Sequence, residues 1–193
     1  DLKYLAIVES ALDARAISVA GAGGLWQFMS ETGRAYGLEI NQQVDERCDP
    51  IAATEAAMKH LNYLYNRFNN WELAIAAYNS GGGRVSRAMK RARSNDFWRI
   101  KRYLPRETAN YVPAFIAATY LVKHYDAHDL KIQSPSLDAQ LTETTQVYRP
   151  YSFYEIAQIS GASLELIELL NPAYLQGTIP ASPSQGRRLT LPQ

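Results

Sequence analysis

The stretch DLKYLAIVESALDARAISVAGAGGLWQFM, residues 1–29, decides how the chain is read. Its first twelve residues have a helical period. At about 100° per residue, Leu2, Leu5, Glu9 and Leu12 fall on one side, and Lys3 and Ser10 on another. Glu9 is the sharpest residue of the sequence. A carboxylate among leucines loses hydration, which raises its pKa. A carboxyl group that stays protonated near neutral pH is what a general acid needs. On this helix alone the ordinary reading carries more weight: a partly exposed glutamate, or one paired with a buried arginine. Gly21, Gly23 and Gly24 mark a tight loop that either admits a ligand close to the backbone or simply turns the chain. The Gly-x-x-x-x-Gly-Lys spacing of a phosphate loop is missing. Leu25 to Tyr36 reads as a second helix with Gly37 as its stop. The amide of Gln27 inside it calls for hydrogen-bond partners, supplied by a ligand or by a loop backbone.

Further along, Asp45-Glu46-Arg47-Cys48-Asp49-Pro50 precedes a helix from Pro50 to Phe68. Asp49 is placed to cap its free N–H groups, Pro50 fits the first turn, and Arg47 neutralises its acidic neighbours. Trp71 to Tyr78 is a short, almost wholly apolar helix, hence buried. It ends at Tyr78-Asn79 before a second glycine corner, Gly81-Gly82-Gly83. There a phenol and an amide either point into a cleft or merely close a helix. Residues 84–102 carry Arg84, Arg87, Lys90, Arg91, Arg93, Arg99, Lys101 and Arg102 against the single acid Asp96. Pro105 starts another helix, which Pro113 bends or restarts. Ala114 to Tyr125 is apolar enough for a core helix. His60, within the long helix, reads as structural.

Composition bounds the alternatives. The 193 residues have a formal charge of +1 and are 47% hydrophobic, so a core is affordable and a disordered polyelectrolyte is excluded. One cysteine, Cys48, allows no internal disulfide, and three histidines make an all-histidine metal cage improbable. No apolar run approaches the ~20 residues of a membrane span. The basic stretch carries Phe97 and Trp98 as possible stacking faces. With near-neutral overall charge and no nucleic-acid motif, it reads better as a solvated helix face, with a role in holding an anionic polymer as the intermediate option.

The tail differs in kind. Residues 126–143 lose periodicity and collect Ser, Thr, Asp and Pro, as a linker does. Beyond it, Gln146-Val147-Tyr148 is strand-like, Phe153 to Ile159 and Leu164 to Leu170 are short helices ended by Gly161 and by Asn171-Pro172, and Arg188-Leu189-Thr190-Leu191 alternates like a strand. This β-α-α-β order defines a small α+β module.

Taken together these segments resemble a known family. Glu9-Ser10, then Ser18 and Gly21-Ala22-x-Gly24-Leu25-Trp26-Gln27-Phe28-Met29, resemble the first two motifs of the family 1 lytic transglycosylases. Ala76-Ala77-Tyr78-Asn79-x-Gly81 is similar to the third motif, and Glu107-Thr108-x-x-Tyr111-Val112-Pro113 to the fourth. Asp45-Glu46-Arg47-x-Asp49-Pro50 and Asp96-Phe97-Trp98 resemble the membrane-bound D type in particular. The tail resembles a LysM module, degenerate at its entry, where Arg149-Pro150-Tyr151-Ser152-Phe153 replaces the usual Gly-Asp-Thr-Leu.

The resemblance implies a mainly α fold: a lysozyme-like helical catalytic domain over 1–125, N-terminally truncated, a linker over 126–143, and the LysM-like module over 144–193. It implies cleavage of the β-1,4 bond between N-acetylmuramic acid and N-acetylglucosamine in peptidoglycan, with 1,6-anhydromuramic ends. Glu9 would be the single catalytic acid and then base. Ser18, Gln27, Met29, Tyr78, Asn79 and Tyr111 match positions that line the cleft and bind substrate. It implies no cofactor and no metal, peptidoglycan glycan strands as partner, no nucleic acid, and a periplasmic place in the bacterial cell envelope. Membrane attachment would come only through a missing upstream segment. The tail lies beyond the linker and holds none of the four motifs, so it is expected to be dispensable for chemistry. The alternatives are a wall-binding protein without catalysis and a lysozyme-type muramidase.

Overall fold

The computed structural model describes residues 1–131 and 133–193. The described residues form two compact units: Asp1–Asp13 with Thr54–Lys131, and Ala14–Ala53 with Ile132–Gln193. In chain order the helices are α1 (Leu5–Ser10), α2 (Ser30–Ala35), α3 (Pro50–Phe68), α4 (Trp71–Ser80), α5 (Gly82–Ala92), α6 (Phe97–Ile100) and α7 (Arg106–Lys123). Short 3-10 turns stand at Leu2–Tyr4, Lys101–Tyr103 and Asp126–His128. The tail adds α8 (Leu137–Gln140), β1 (Thr142–Val147), β2 (Tyr151–Ser152), α9 (Phe153–Ser160), α10 (Leu164–Leu170), β3 (Thr178–Ile179) and β4 (Arg187–Pro192). The expected linker over 126–143 includes Ile132, which lies outside the described residues.

In the first unit α4 is the central helix, packed against α5 and α7. The reason is compositional: Leu73, Ala74, Ile75, Ala76 and Ala77 are all buried, so this helix has no solvent face along its middle. The small side chains of α4 let its neighbours approach closely. Asn70 caps its start by accepting from Leu73 N at 3.0 Å. Pro113 sits inside α7 without ending it. The run 114–125 is not core: Ile116, Tyr120, Leu121, Val122 and Tyr125 are all exposed. Its apolar composition predicts burial, but only the first half of α7, with Thr108, Tyr111 and Val112, is buried.

In the second unit the stretch 25–36 is not one helix. Gly23 bridges both Ile17 and Phe28 in antiparallel fashion, and the helix begins only at Ser30. Gln27 takes a left-handed backbone, φ 48°, inside the resulting turn. The cause lies at Arg47. Its guanidinium donates to Gly21 O at 2.7 Å and to Phe28 O at 3.1 Å, and is itself held by Asp45 at 2.6 and 2.9 Å. Arg47 and Asp45 are both buried, so this pair is satisfied on every side rather than merely neutral. Gly24, at φ 77°, passes so close that a Cβ there would lie 1.6 Å from Arg47 O. Asp49 caps α3 as expected, accepting from Ile51 N and Ala52 N at 2.8 and 2.9 Å.

The tail folds around Phe153, Ile156, Ile167, Ile179 and Leu189. β1 and β4 pair antiparallel, Thr142 opposite Pro192 and Val147 opposite Arg187. The strand starts earlier than Gln146, and a second small pair, β2 with β3, is added to the expected order. This tail joins residues 39–49 through several bonds. Arg187 pairs with Glu39 at 2.5 and 3.0 Å, and Arg188 with Asp49 at 3.1 Å. Asp45 N donates to Ala173 O at 2.8 Å, and Leu175 N to Gln43 O at 3.0 Å.

Candidate active site

The first unit gathers Glu9, Tyr78, Asn79 and Tyr111 from α1, α4 and α7, with α1 and α4 each in contact with α7. Glu9 stands in the last turn of α1, half-buried. The phenol of Tyr111 donates to its Oε1. Burial pushes the Glu9 carboxyl up to about 7, the Tyr111 hydrogen bond opposes that shift, and the negative charge of Glu107 adds to it. The dominant cause is the one that the leucine-flanked helix suggests. Tyr111 and Tyr78 are both held well above the ordinary phenol range by burial and by the charge of Glu9, so both stay protonated donors.

Asn79 is fixed from two sides. Its Nδ2 donates to Glu107 Oε1 at 2.9 Å, and its Oδ1 accepts from Thr108 Oγ1 at 2.8 Å. Glu107, Thr108 and Tyr111 follow one another at i, i+1 and i+4, so one end of α7 serves both Asn79 and Glu9. His60 adds a ring against Tyr78, centroids 5.3 Å apart, and burial pulls it down to about 4. It therefore stays neutral where Glu9 titrates. The spacing of the sequence singles out Glu9, Tyr78, Asn79 and Tyr111. It assigns no role to Glu107 or Thr108, although the i, i+4 spacing within Glu107-Thr108-x-x-Tyr111 carries their signal, and it reads His60 as structural rather than as part of the site.

Ser18, Gln27 and Met29 belong to the second unit, on the glycine-rich turn. Ser18 Oγ accepts from Ala22 N at 3.0 Å, which closes the turn. Gln27 Nε2 donates to Ala16 O and Gly24 O at 3.0 and 2.9 Å. Of the two partners open to this amide, the loop backbone is the one observed for its nitrogen. Met29 is 48% exposed, a flexible thioether available to a ligand. Among the described residues no group of three or more His, Cys, Asp or Glu is placed to hold a metal ion.

Chemically, the first-unit cluster is one half-buried carboxyl group poised near neutral pH, with neutral phenol, amide and imidazole groups around it and the exposed Glu107 carboxylate at its edge. It can give and take one proton near pH 7.

Known proteins resemble the chain over both the helical part and the tail. Residues 1–101 match the family model described as Transglycosylase SLT domain. Residues 141–193 match that of the lytic transglycosylase MltD, LysM-like domain. The membrane-bound lytic murein transglycosylase D of Escherichia coli K12 is 35% identical over 190 residues, which is 96% of this chain and 41% of that protein. The chain thus spans well under half the length of that relative. Among solved structures, the 70 kDa soluble lytic transglycosylase of Escherichia coli superposes with a TM-score of 0.56 at 26% identity, over 65% of this chain and 22% of that one. An inactive glutamate-to-glutamine mutant of lytic transglycosylase Slt from Pseudomonas aeruginosa gives 0.53 at 26% identity, over 68% and 22%. The mainly helical, lysozyme-like class with a small antiparallel tail is the one expected.

Proposed function

Since the chain belongs to the family of the Transglycosylase SLT domain, we propose that it is the catalytic part of a peptidoglycan lytic transglycosylase working in the bacterial cell envelope. The observation that carries this reading is the state of Glu9: a carboxyl group raised to about 7 by burial, with Tyr111 fixing one of its oxygens.

The proposed chemistry needs one proton carrier. Protonated Glu9 gives its proton to the glycosidic oxygen as the C1–O bond breaks. The N-acetyl group of the muramic residue supports the positive charge at C1. Glu9, now a carboxylate, takes the proton of the C6 hydroxyl while O6 bonds to C1. The product is a 1,6-anhydro end, and Glu9 is returned protonated. Ordinary glycosidases use two carboxylates, and substrate assistance is one known exception. Glu107 is a second carboxylate of the cluster, but it is bonded to Asn79, a bond that suits orientation of that amide. Asn79 and Tyr78 are proposed to orient the N-acetyl group. Ser18, Gln27 and Met29 are proposed to contact neighbouring sugars. Intramolecular attack is favoured because a tethered hydroxyl gains roughly 7–11 kcal/mol over a free one when well placed.

Mass spectrometry of digested peptidoglycan tests the reading. Muramic ends lighter than reducing ends by one water are expected. Reducing ends alone would favour a lysozyme-type muramidase, and wall binding without cleavage a non-catalytic module.

A further inference from the structure

The basic stretch forms a groove. On α5, Arg84, Arg87 and Arg91 recur at i, i+3 and i+7, which places them in one stripe within about 60° of the helix circumference. Opposite them the turn after α6 supplies Arg102 and Tyr103. The space between has a volume of about 700 Å³. The helix anchors itself by burying Val85 and Ala88, so the stripe faces outward.

Two features make this more than a solvated face. First, three of the four guanidinium groups are held in place. Arg91 and Arg102 both lie over the Tyr103 ring, at 5.0 and 4.9 Å from its centroid, and Arg84 donates to Ser80 O at 3.0 Å. Second, the groove has no acidic lining, and among the described residues none of the four arginines is in an ion pair. Four like charges brought together without a counter-charge repel one another, an arrangement that an anionic ligand relieves.

We propose that this groove is a binding site for a carboxylate-bearing peptide, the stem peptide carried by the muramic residues of peptidoglycan. The proposal rests on the transglycosylase reading above. The charged lining is arginine throughout, and its planar forks match carboxylates two bonds at a time, which lysine cannot do. The site is concave, and of its apolar lining Ala88 and Leu104 are buried while Pro105 alone is exposed, too small a surface to insert into a bilayer. Position also fits: the last turn of α4 holds Tyr78, Asn79 and Ser80, and Arg84 donates to Ser80 O.

The test uses the chain with Arg87→Gln, Arg91→Gln and Arg102→Gln combined. All three side chains are exposed, so the fold tolerates the change. Kinetics are measured on glycan strands that carry stem peptides and on strands stripped of them. For the triple variant KM on peptide-bearing strands should rise about 10-fold or more, with kcat within twofold and with kinetics on stripped strands unchanged. The salt dependence of KM on peptide-bearing strands should flatten. An equal change on both substrates overturns the proposal, as does no change on either. Loss of binding to phosphatidylglycerol vesicles with unaltered KM on peptide-bearing strands overturns it in favour of a membrane surface. Failure of the unmodified chain to cleave either substrate would instead overturn the transglycosylase reading.

Discussion

Tyr111 donates its phenolic hydrogen to Glu9 Oε1 across a separation of 102 residues. The bond leaves the second oxygen of the carboxyl group as the natural seat of its proton. It also works against burial, which would otherwise hold the proton still more tightly. Two opposed effects therefore tune one group to the neutral range.

Glu9→Gln should keep the fold and abolish turnover, since the amide is nearly isosteric but carries no transferable proton. Loss of the general acid–base role alone is worth roughly 10²–10⁴-fold. Stability gives a second readout. The folded-state pKa of Glu9 lies above its ordinary value, so the stability due to its protonated form is complete below about pH 4.5 and lost as pH rises through about 7. The stability of Glu9→Gln relative to the parent should thus increase by about 3 kcal/mol between those limits. Urea denaturation at pH 4.5 and pH 8 measures it.

Tyr111→Phe removes the hydrogen bond that lowers the Glu9 pKa. The carboxyl group should then hold its proton to higher pH. Turnover requires the protonated form, so the alkaline limb of the kcat/KM profile, near pH 7 in the parent, should move upward. A downward shift would mean that Tyr111 acts on the acid in some other way.

The glycine turn offers a paired test. Gly21→Ala meets only a left-handed backbone and open space, and should cost roughly 1–2 kcal/mol. Gly24→Ala adds a Cβ within 1.6 Å of Arg47 O and 2.4 Å of its carbonyl carbon, so the backbone itself has to shift. Its cost should exceed about 3 kcal/mol. Denaturation midpoints of the two variants decide.

Truncation near Asp138 examines the tail. It removes Arg187 and Arg188, the partners of Glu39 and Asp49, and the carbonyl that accepts from Asp45 N. Residues 37–49 should become sensitive to protease and the thermal midpoint should fall. On soluble glycan strands kcat should be retained, because Glu9 and Tyr111 belong to the other unit, while KM rises. An unchanged midpoint would show that the tail lends this loop nothing.

Legibility from sequence varied with the range of the forces involved. Asp49-Pro50 announces α3 because a cap and a first-turn proline act locally. Gly161 and Asn171 end the tail helices for the same reason. Leu25-Trp26-Gln27-Phe28 misleads because its apolar run suits a helix, whereas two bonds from Arg47, some twenty residues away, hold the chain in a turn. Ala114 to Tyr125 misleads in the opposite sense: its composition is that of a core, yet five of its large side chains are exposed. The candidate site is legible at Glu9, Tyr78, Asn79 and Tyr111 through their motifs. The roles of Glu107, Thr108 and His60 emerge only when three helices meet, since each works on a neighbour rather than on a pattern of its own.

The two-sided hold on Asn79 has a consequence for the ageing of the protein. Its amide is a donor toward Glu107 and an acceptor toward Thr108, and no other side chain of that size plays both parts. Hydrolytic loss of ammonia at this position would turn the donor into a second carboxylate facing Glu107. The added charge would push the Glu9 proton affinity further up and break the Asn79–Glu107 bond between α4 and α7. Deamidation at this single amide, detectable as a mass gain of about one dalton in the peptide spanning the Asn79-Ser80 step, would therefore mark molecules whose alkaline limb has moved upward.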